Sequence, residues 1–582
     1  MKFSETSLWE DFEERDGILF FAHRCEEMLF HYTGDKYRTP ILNTFRIIEE
    51  YCNTHKLIDD DIISPVHEDV IFKEFLDAFE KDLVLKMFWG KDKIDNFLKS
   101  WGALSKQDKV NRMNYLCTIF GNNVYFGWTK KALLEYIQKP KEKKIIDLIT
   151  RCFIPELICI GYAPEYIYFT IKKVFFDQKV FSADCLKEFF KVFDLENKEY
   201  SVYVATSSKV NILKDVFERR LNASFDDDGN FNLLKKDQNT TILHFKKIEA
   251  LDPYSAMEKA RSKQELLFQF YGFLSNRKKP YIQKKGMVIE VKTQTKLFPN
   301  TIGKDYNVIS NLTDTDASKI AEEIITILLS NARDSFPILL KSIELHNTAL
   351  SISDYRNAFL NLWSIMEVLI PKRTNKTNID TISETLEFSL RRGFLLDIIN
   401  DLIQNLKDCI PNEYNELLKS IKFTGDEKEK FAALILLPEH DEIRKEFYSR
   451  LSNYPILRSR MSQFNSDFKT VGNINTAIEK YCCRVRWHIY RLYRTRNFII
   501  HSGNTPIHIK ALGEHLHFYV DEIVTEILGR LIIRRNLNNV ENVIIDLEME
   551  QSIFDTTIAK DTRINANNIK AILNRDIKYL DK

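Results

Sequence analysis

The chain has 582 residues, 44% of them hydrophobic and 12% aromatic, and a formal net charge of +1. The length exceeds one ordinary domain, and the composition suits a packed globular protein rather than a disordered one. A near-neutral balance excludes a molecule that attracts nucleic acid over its whole surface, so any basic site must be local. The nine cysteines are scattered, odd in number and without a C-x-x-C pair. That pattern supports neither a disulfide framework nor a metal centre, and a reducing cytoplasm is the expected location. The opening "MKFSETSLWEDFEERDG" is acidic and lacks an apolar core, so it does not read as a signal peptide. No run of about 18 apolar residues occurs, and no membrane span is expected.

Residues 1–197 read as helical throughout. In "ILNTFRIIEEYC" and "DVIFKEFLDAFEKDLVLKMF" apolar residues recur at three- and four-residue spacing, the period of an amphipathic helix. The texture changes near residue 199. "YSVYVATS", "TTILHFKKIEA" and "KKGMVIEVKTQ" read as strands, "FDDDGN" as a turn, and "SAMEKARSKQELLFQFYGFL" as a helix between the second and third strands. Residues 198–310 are therefore expected to form a small α/β domain. The polar "FPNTIGKDYNVISNLTDTD" reads as a linker or loop. Helix returns over 315–535, including "DYRNAFLNLWSIMEVLI" before Pro371 and the long "HIKALGEHLHFYVDEIVTEILGRLIIRR". The tail 536–582 is Asn-rich and weakly patterned. The fold class is mainly α: a helical N-terminal region, a small α/β middle unit and a C-terminal helical bundle.

The residues of most chemical interest lie in "YRLYRTRNFIIHSGNTP", on a helix expected to begin near 474. At 100° per residue, Ile489, Tyr493, Arg496 and Ile500 share one stripe, with Leu492 and Ile499 beside it. An arginine in an apolar stripe must meet a carboxylate, a phosphate or water in a cleft, because an unpaired buried charge is costly. "HSGNTP" reads as the stop, with Gly503 as a left-handed C-cap, Pro506 beyond it and His501 in the last turn. From Lys480 to Leu512 there is no Asp or Glu, while Arg484, Arg486, Arg491, Arg494 and Arg496 crowd one helix. A compact positive source of this kind is the footprint of a phosphate-contacting surface. The bland alternatives are a solvated face or ion pairs to acidic helices elsewhere. An Arg followed by a His is common in itself; Arg24 and His31 in "HRCEEMLFHYTG" repeat it.

"RNFIIHSG" resembles the signature of HEPN domains: Arg, a polar residue, three more residues, then His. "NAFLNLWSIMEVLIP", with Trp363 and Glu367, looks like the early helix of the Apea-like HEPN branch, and "ALGEHLHFYVDEIV" looks like the helix that follows its motif. The resemblance covers roughly 340–535, and "ALDPYSAMEKARSKQELLF" has the look of segments that precede this domain. It implies a helical bundle that dimerises through the motif helices, and a ribonuclease that needs no metal or other cofactor, of the toxin or antiphage type. Carried over residue by residue, Arg496 and His501 take the catalytic roles. Asn497, Glu367 and Arg494 take supporting roles, and Arg484, Arg486 and Arg491 are candidates for RNA binding. The implied partners are RNA, transfer RNA among the candidates, a second copy of the chain, and a phage-derived or protein trigger. Residues 372–475 form a longer insertion than a compact bundle requires. Two other readings of the same residues are an RNA- or nucleotide-binding module without catalysis and a structural adaptor in which Arg496 pairs with Glu367. The first 340 residues carry no phosphate-binding glycine loop, no Ser/His/Asp grouping and no metal spacing. A sensor or autoinhibitory role is expected for them, because a toxic nuclease must be held off until triggered.

Overall fold

The computed structural model describes residues 3–29, 42–121, 123–139, 141–208, 210, 214–220, 222–226, 240–275, 282–299, 314–330, 335–352, 354–534, 536–558 and 563–573. The protein is mainly α, with one small antiparallel sheet. No helix among the described residues is long and apolar enough to cross a membrane. His31 and most of the expected linker lie outside the described residues, as does the end of the "FDDDGN" turn. Packing divides the chain into two units, residues 1–156, 178–183 and 306–582 in one, 157–177 and 184–305 in the other. These cuts differ from the expected domain boundaries at 197 and 310.

In the smaller unit the sheet consists of β1 (Lys198–Ser207), β2 (Ala223–Asp226), β3 (Thr240–Ala250), β4 (Ile282–Glu290) and β5 (Lys296–Leu297), in the order β2-β3-β1-β4-β5. The helix Pro253–Ser275 covers one face, placing Ala256, Met257, Ala260 and Phe268 on Val202, Val204, Leu243, Phe245 and Val288. Gly286 permits this approach, since a Cβ there would lie 2.4 Å from Met257 Cε and 2.8 Å from the Tyr203 carbonyl oxygen. Asp252 caps the helix, accepting from the backbone N–H groups of Tyr254 and Ser255 at 2.8 and 2.9 Å, and also from that of Ala163 at 2.9 Å. This last bond helps explain why residues 157–177 belong with the sheet rather than with the helices before them.

Among the described residues, the regular structure of the larger unit is helical apart from isolated bridges. The expected insertion is part of its core. The long helix Asn378–Cys409 packs along the helix Val471–Ser502 that carries the Arg–His motif, with Phe394 against Tyr481 at 4.7 Å between ring centroids. Arg460, also from the insertion, donates to Glu27 at 2.9 Å and so ties it to the N-terminal helix Arg15–Leu29. Arg24 is buried in the same network, paired with Glu27 at 2.7 Å and with Asp147.

The tail is more ordered than its composition suggests. Val540–Ile558 is a helix burying Val540, Val543, Ile544 and Leu547 within two turns and Phe554 two turns further on. Its acids Asp546 and Glu550 enclose the buried Arg530 guanidinium, with Glu550 at 2.8 Å. The Asn-rich turn before it hid this pattern.

Candidate functional site

The motif helix begins with the Thr470 side chain accepting from the Asn473 N–H at 3.2 Å. It ends at Gly503, whose φ of +69° is the left-handed conformation expected of a C-cap glycine. The Gly503 N–H donates to the Ile499 carbonyl at 3.1 Å, and the Ser502 hydroxyl donates to the Phe498 carbonyl at 2.6 Å. These bonds close the last turn, and His501 stands on it exposed to solvent.

Most arginines of this helix do not form a free positive stripe. Arg486 donates both Nε and Nη2 to Glu387, at 2.9 and 2.7 Å. Arg491 lies buried between Glu50 and Glu74, at 2.8 and 2.7 Å. Arg494 is buried as well and donates Nε and Nη2 to Glu50 Oε1 at 3.2 and 2.8 Å. Burial alone would raise the Glu50 carboxyl, but Arg491 and Arg494 outweigh it and hold it down at about 2. Glu74 goes the other way, because burial pushes its carboxyl up against the pull of Arg491. Thus Arg491, a candidate for RNA binding, is enclosed within the protein, and so is Arg494. Arg484 is exposed, and Arg486 is exposed but already engaged by a carboxylate. The carboxylates come from the helices Thr44–Asp59, Val66–Lys81 and Asn378–Cys409, far away in sequence.

Arg496 is held differently. Its Nη1 donates to Asn497 Oδ1 at 3.1 Å, and its Nη2 lies 3.8 Å from Glu367 Oε2. Asn497 is buried and donates its own Nδ2 to the Tyr493 carbonyl at 3.0 Å, which fixes the amide that Arg496 leans on. Glu367 is fixed by its other oxygen, which accepts from the Trp363 indole at 2.9 Å. Arg496 and Glu367 each keep 28% of the side chain exposed, whereas the Arg494 side chain keeps 3%. The guanidinium is therefore oriented from two sides yet open to water. His501 follows about 7.5 Å further along the helix axis. The structure thus brings Arg496, Asn497, Glu367 and Trp363 together, places His501 on the adjoining last turn, and draws Arg491 and Arg494 away into the interior.

The apolar stripe is occupied within the chain over most of its length. Ile489 is fully buried, and Tyr493 and Phe498 pack on Leu57, Ile58 and Ile63. The His67 ring stacks on Tyr493 at 5.2 Å with an interplanar angle of 7°. Burial, reinforced by Arg494 and opposed by Asp380, pushes the His67 imidazole down to about 4, so the stacked ring is neutral at neutral pH. Ile500 is 48% exposed and Ile507 68% exposed, and these are the apolar side chains left open around the helix end.

Sequence reasoning found the motif but not its partners Glu50 and Glu74. The only hint was the lack of any acid between Lys480 and Leu512, which requires that paired arginines find carboxylates elsewhere. No family model matches the chain, and neither does any curated protein or solved structure.

Proposed function

We propose that the chain is a metal-independent endoribonuclease of HEPN type, acting through Arg496 and His501 in the cytoplasm as a regulated toxin or antiphage effector. The observation that carries this reading is the contrast among the arginines of one helix. Arg491 and Arg494 are committed to buried carboxylates, while Arg496 is oriented by Asn497 and Glu367, stays open to solvent, and precedes an exposed histidine.

The chemistry follows from those two groups. In RNA the 2′-OH lies beside its own phosphate, so a site that positions the backbone supplies much of the rate. His501 takes the proton from the 2′-OH or gives one to the departing 5′-oxygen, the general acid–base role that an imidazole most often fills. The O2′–P bond forms and the P–O5′ bond breaks, leaving a 2′,3′-cyclic phosphate and a 5′-hydroxyl. Arg496 turns from Glu367 to the phosphate and stabilises the charge that builds there. DNA lacks the 2′-OH and is not cut. A second copy of the chain would meet the exposed end of the helix, near Ile500 and Ile507, because the stripe around Tyr493 is already covered. The helices Thr44–Asp59 and Val66–Lys81 pack on the motif helix, which gives the N-terminal region a physical route by which a trigger could act on the site.

One observation favours a second reading. The Arg496–Glu367 contact is also what a structural adaptor would show, with the ion pair holding two helices together. The test incubates the wild type and the Arg496→Ala/His501→Ala double variant, matched for folding, with transfer RNA and total RNA in EDTA. Cleavage by the wild type alone, with cyclic phosphate ends, is the expected result. RNA binding that survives His501→Ala, with no scission by the wild type in the tube or in cells under phage challenge, would replace the ribonuclease by a binding module.

A further inference from the structure

A histidine from one helix meets a histidine and an aspartate from another, distant in the sequence, where both helices pack on the Trp363 helix. His346 belongs to the helix Phe336–Ser351, and His517 and Asp521 to the helix Ile509–Ile533. The spacing of His517 and Asp521 places them one turn apart on one face. His346 Nε2 lies 2.9 Å from His517 Nε2 and 3.2 Å from Asp521 Oδ1, and His517 Nδ1 lies 3.3 Å from Asp521 Oδ2. One ligand atom from each of the three falls within 4.8 Å of the others.

We propose that His346, His517 and Asp521 form a binding site for a divalent first-row transition cation of the zinc type. Ligands at about 2.1 Å from a tetrahedral ion lie roughly 3.4 Å from one another. The two contacts made by His346 Nε2 fall short of that by only a few tenths of an ångström, so a small parting of the side chains admits the ion. Two imidazoles and one carboxylate suit zinc, cobalt, iron, manganese or nickel, and not calcium or magnesium, which take mainly oxygen ligands. His517 is buried, while the His346 and Asp521 side chains keep 28% and 19% of their surface exposed. That leaves an entry path and room for water in the remaining coordination positions. Entry of the ion displaces the proton shared between the facing imidazoles and leaves the carboxylate to offset part of the charge.

The two helices that supply the ligands both pack on Tyr355–Leu369, the helix that carries Trp363 and Glu367. A bound ion would pin them to each other and steady that frame. The site does not depend on the ribonuclease reading, because the ion is bound at His346, His517 and Asp521 and not at Arg496 and His501.

The test uses the full-length protein, stripped with chelator and titrated with Zn²⁺ by calorimetry and with Co²⁺ by visible absorption. Cys483 is exposed, so the Cys483→Ser variant serves as the background. One ion per chain is expected, with cobalt d–d bands and no thiolate charge-transfer band, and with a rise in Tm. His346→Gln and Asp521→Asn alter partly exposed positions, and each is expected to weaken binding by about tenfold or more. A thiolate band, unchanged affinity in both variants, or no binding by the wild type at micromolar metal would overturn the proposal. The last of these would leave the trio as a hydrogen-bonded histidine pair with its carboxylate.

Discussion

The middle and the end of the motif helix treat the same side chain in opposite ways. Arg491 and Arg494 are driven into the protein, where Glu50 receives both and Glu74 receives one. Arg496, two residues later, is propped at the surface by an amide and by a carboxylate 3.8 Å away. The difference lies in the neighbours. The middle turns face the helices Thr44–Asp59 and Val66–Lys81, which supply acids and exclude water. Arg496 is met instead by the Trp363 helix, whose Glu367 carboxylate lies 3.8 Å from its guanidinium. A guanidinium in the first setting is structural, and one in the second can exchange its partner for a ligand.

The sharpest way to break the comparison is to remove the shared acid. Glu50→Gln leaves two guanidinium groups short of their counter-charge in a buried site, and is expected to cost about 3–5 kcal/mol in urea unfolding. The sign of the pH dependence follows from the depressed carboxyl. Its contribution is fully present above the unfolded value of about 4.3 and is lost as the pH falls through about 2. The gap between wild type and variant should hold from pH 7 to 5 and narrow at pH 3. A gap that stays constant to pH 3 would mean that Glu50 does not serve as the charge partner. Glu74→Gln should cost clearly less, because burial already pushes that carboxyl up and part of its ionised form is a burden.

The next effect concerns the helix end. No atom lies within 4 Å of a Cβ added at Gly503, so Gly503→Ala carries only the backbone penalty of the left-handed conformation, about 1–2 kcal/mol. Gly503→Asn should recover part of it, since asparagine tolerates that conformation. Equal Tm values for the glycine and alanine proteins would mean that the cap does not hold the last turn.

The helix end was legible in the sequence because a cap is local. "HSGNTP" carries the C-cap glycine and the proline beyond it within six residues, and the stop falls where that spacing puts it. β1, β3 and β4 were legible for the same reason, while the short β2 and β5 were not, and Phe225 and Asp226 of the expected turn form the end of β2. What could not be read was tertiary. Five arginines without a nearby acid look like a phosphate-binding stripe, and three of them prove to be answered by Glu50, Glu74 and Glu387 from distant helices. His346 and His517 are separated by 171 positions, so no motif spacing could announce them. The helix Val540–Ile558 was missed because the polar turn before it outweighed a short apolar period.

The smallest stability effect separates the two readings of Arg496. A partly exposed ion pair at 3.8 Å contributes at most about 1 kcal/mol, because water screens it. If Arg496 is there to meet phosphate, Arg496→Ala should leave Tm nearly unchanged and abolish cleavage, and Arg496→Lys should restore little, since a point charge cannot reproduce the planar fork. If the pair is structural, Glu367→Gln and Arg496→Ala should lower stability by similar amounts, and the double variant should lose less than their sum. A coupling energy near zero together with lost cleavage assigns Arg496 to the substrate. A large coupling with intact RNA chemistry assigns it to the fold, and the contrast between the middle and the end of the helix then becomes one of degree.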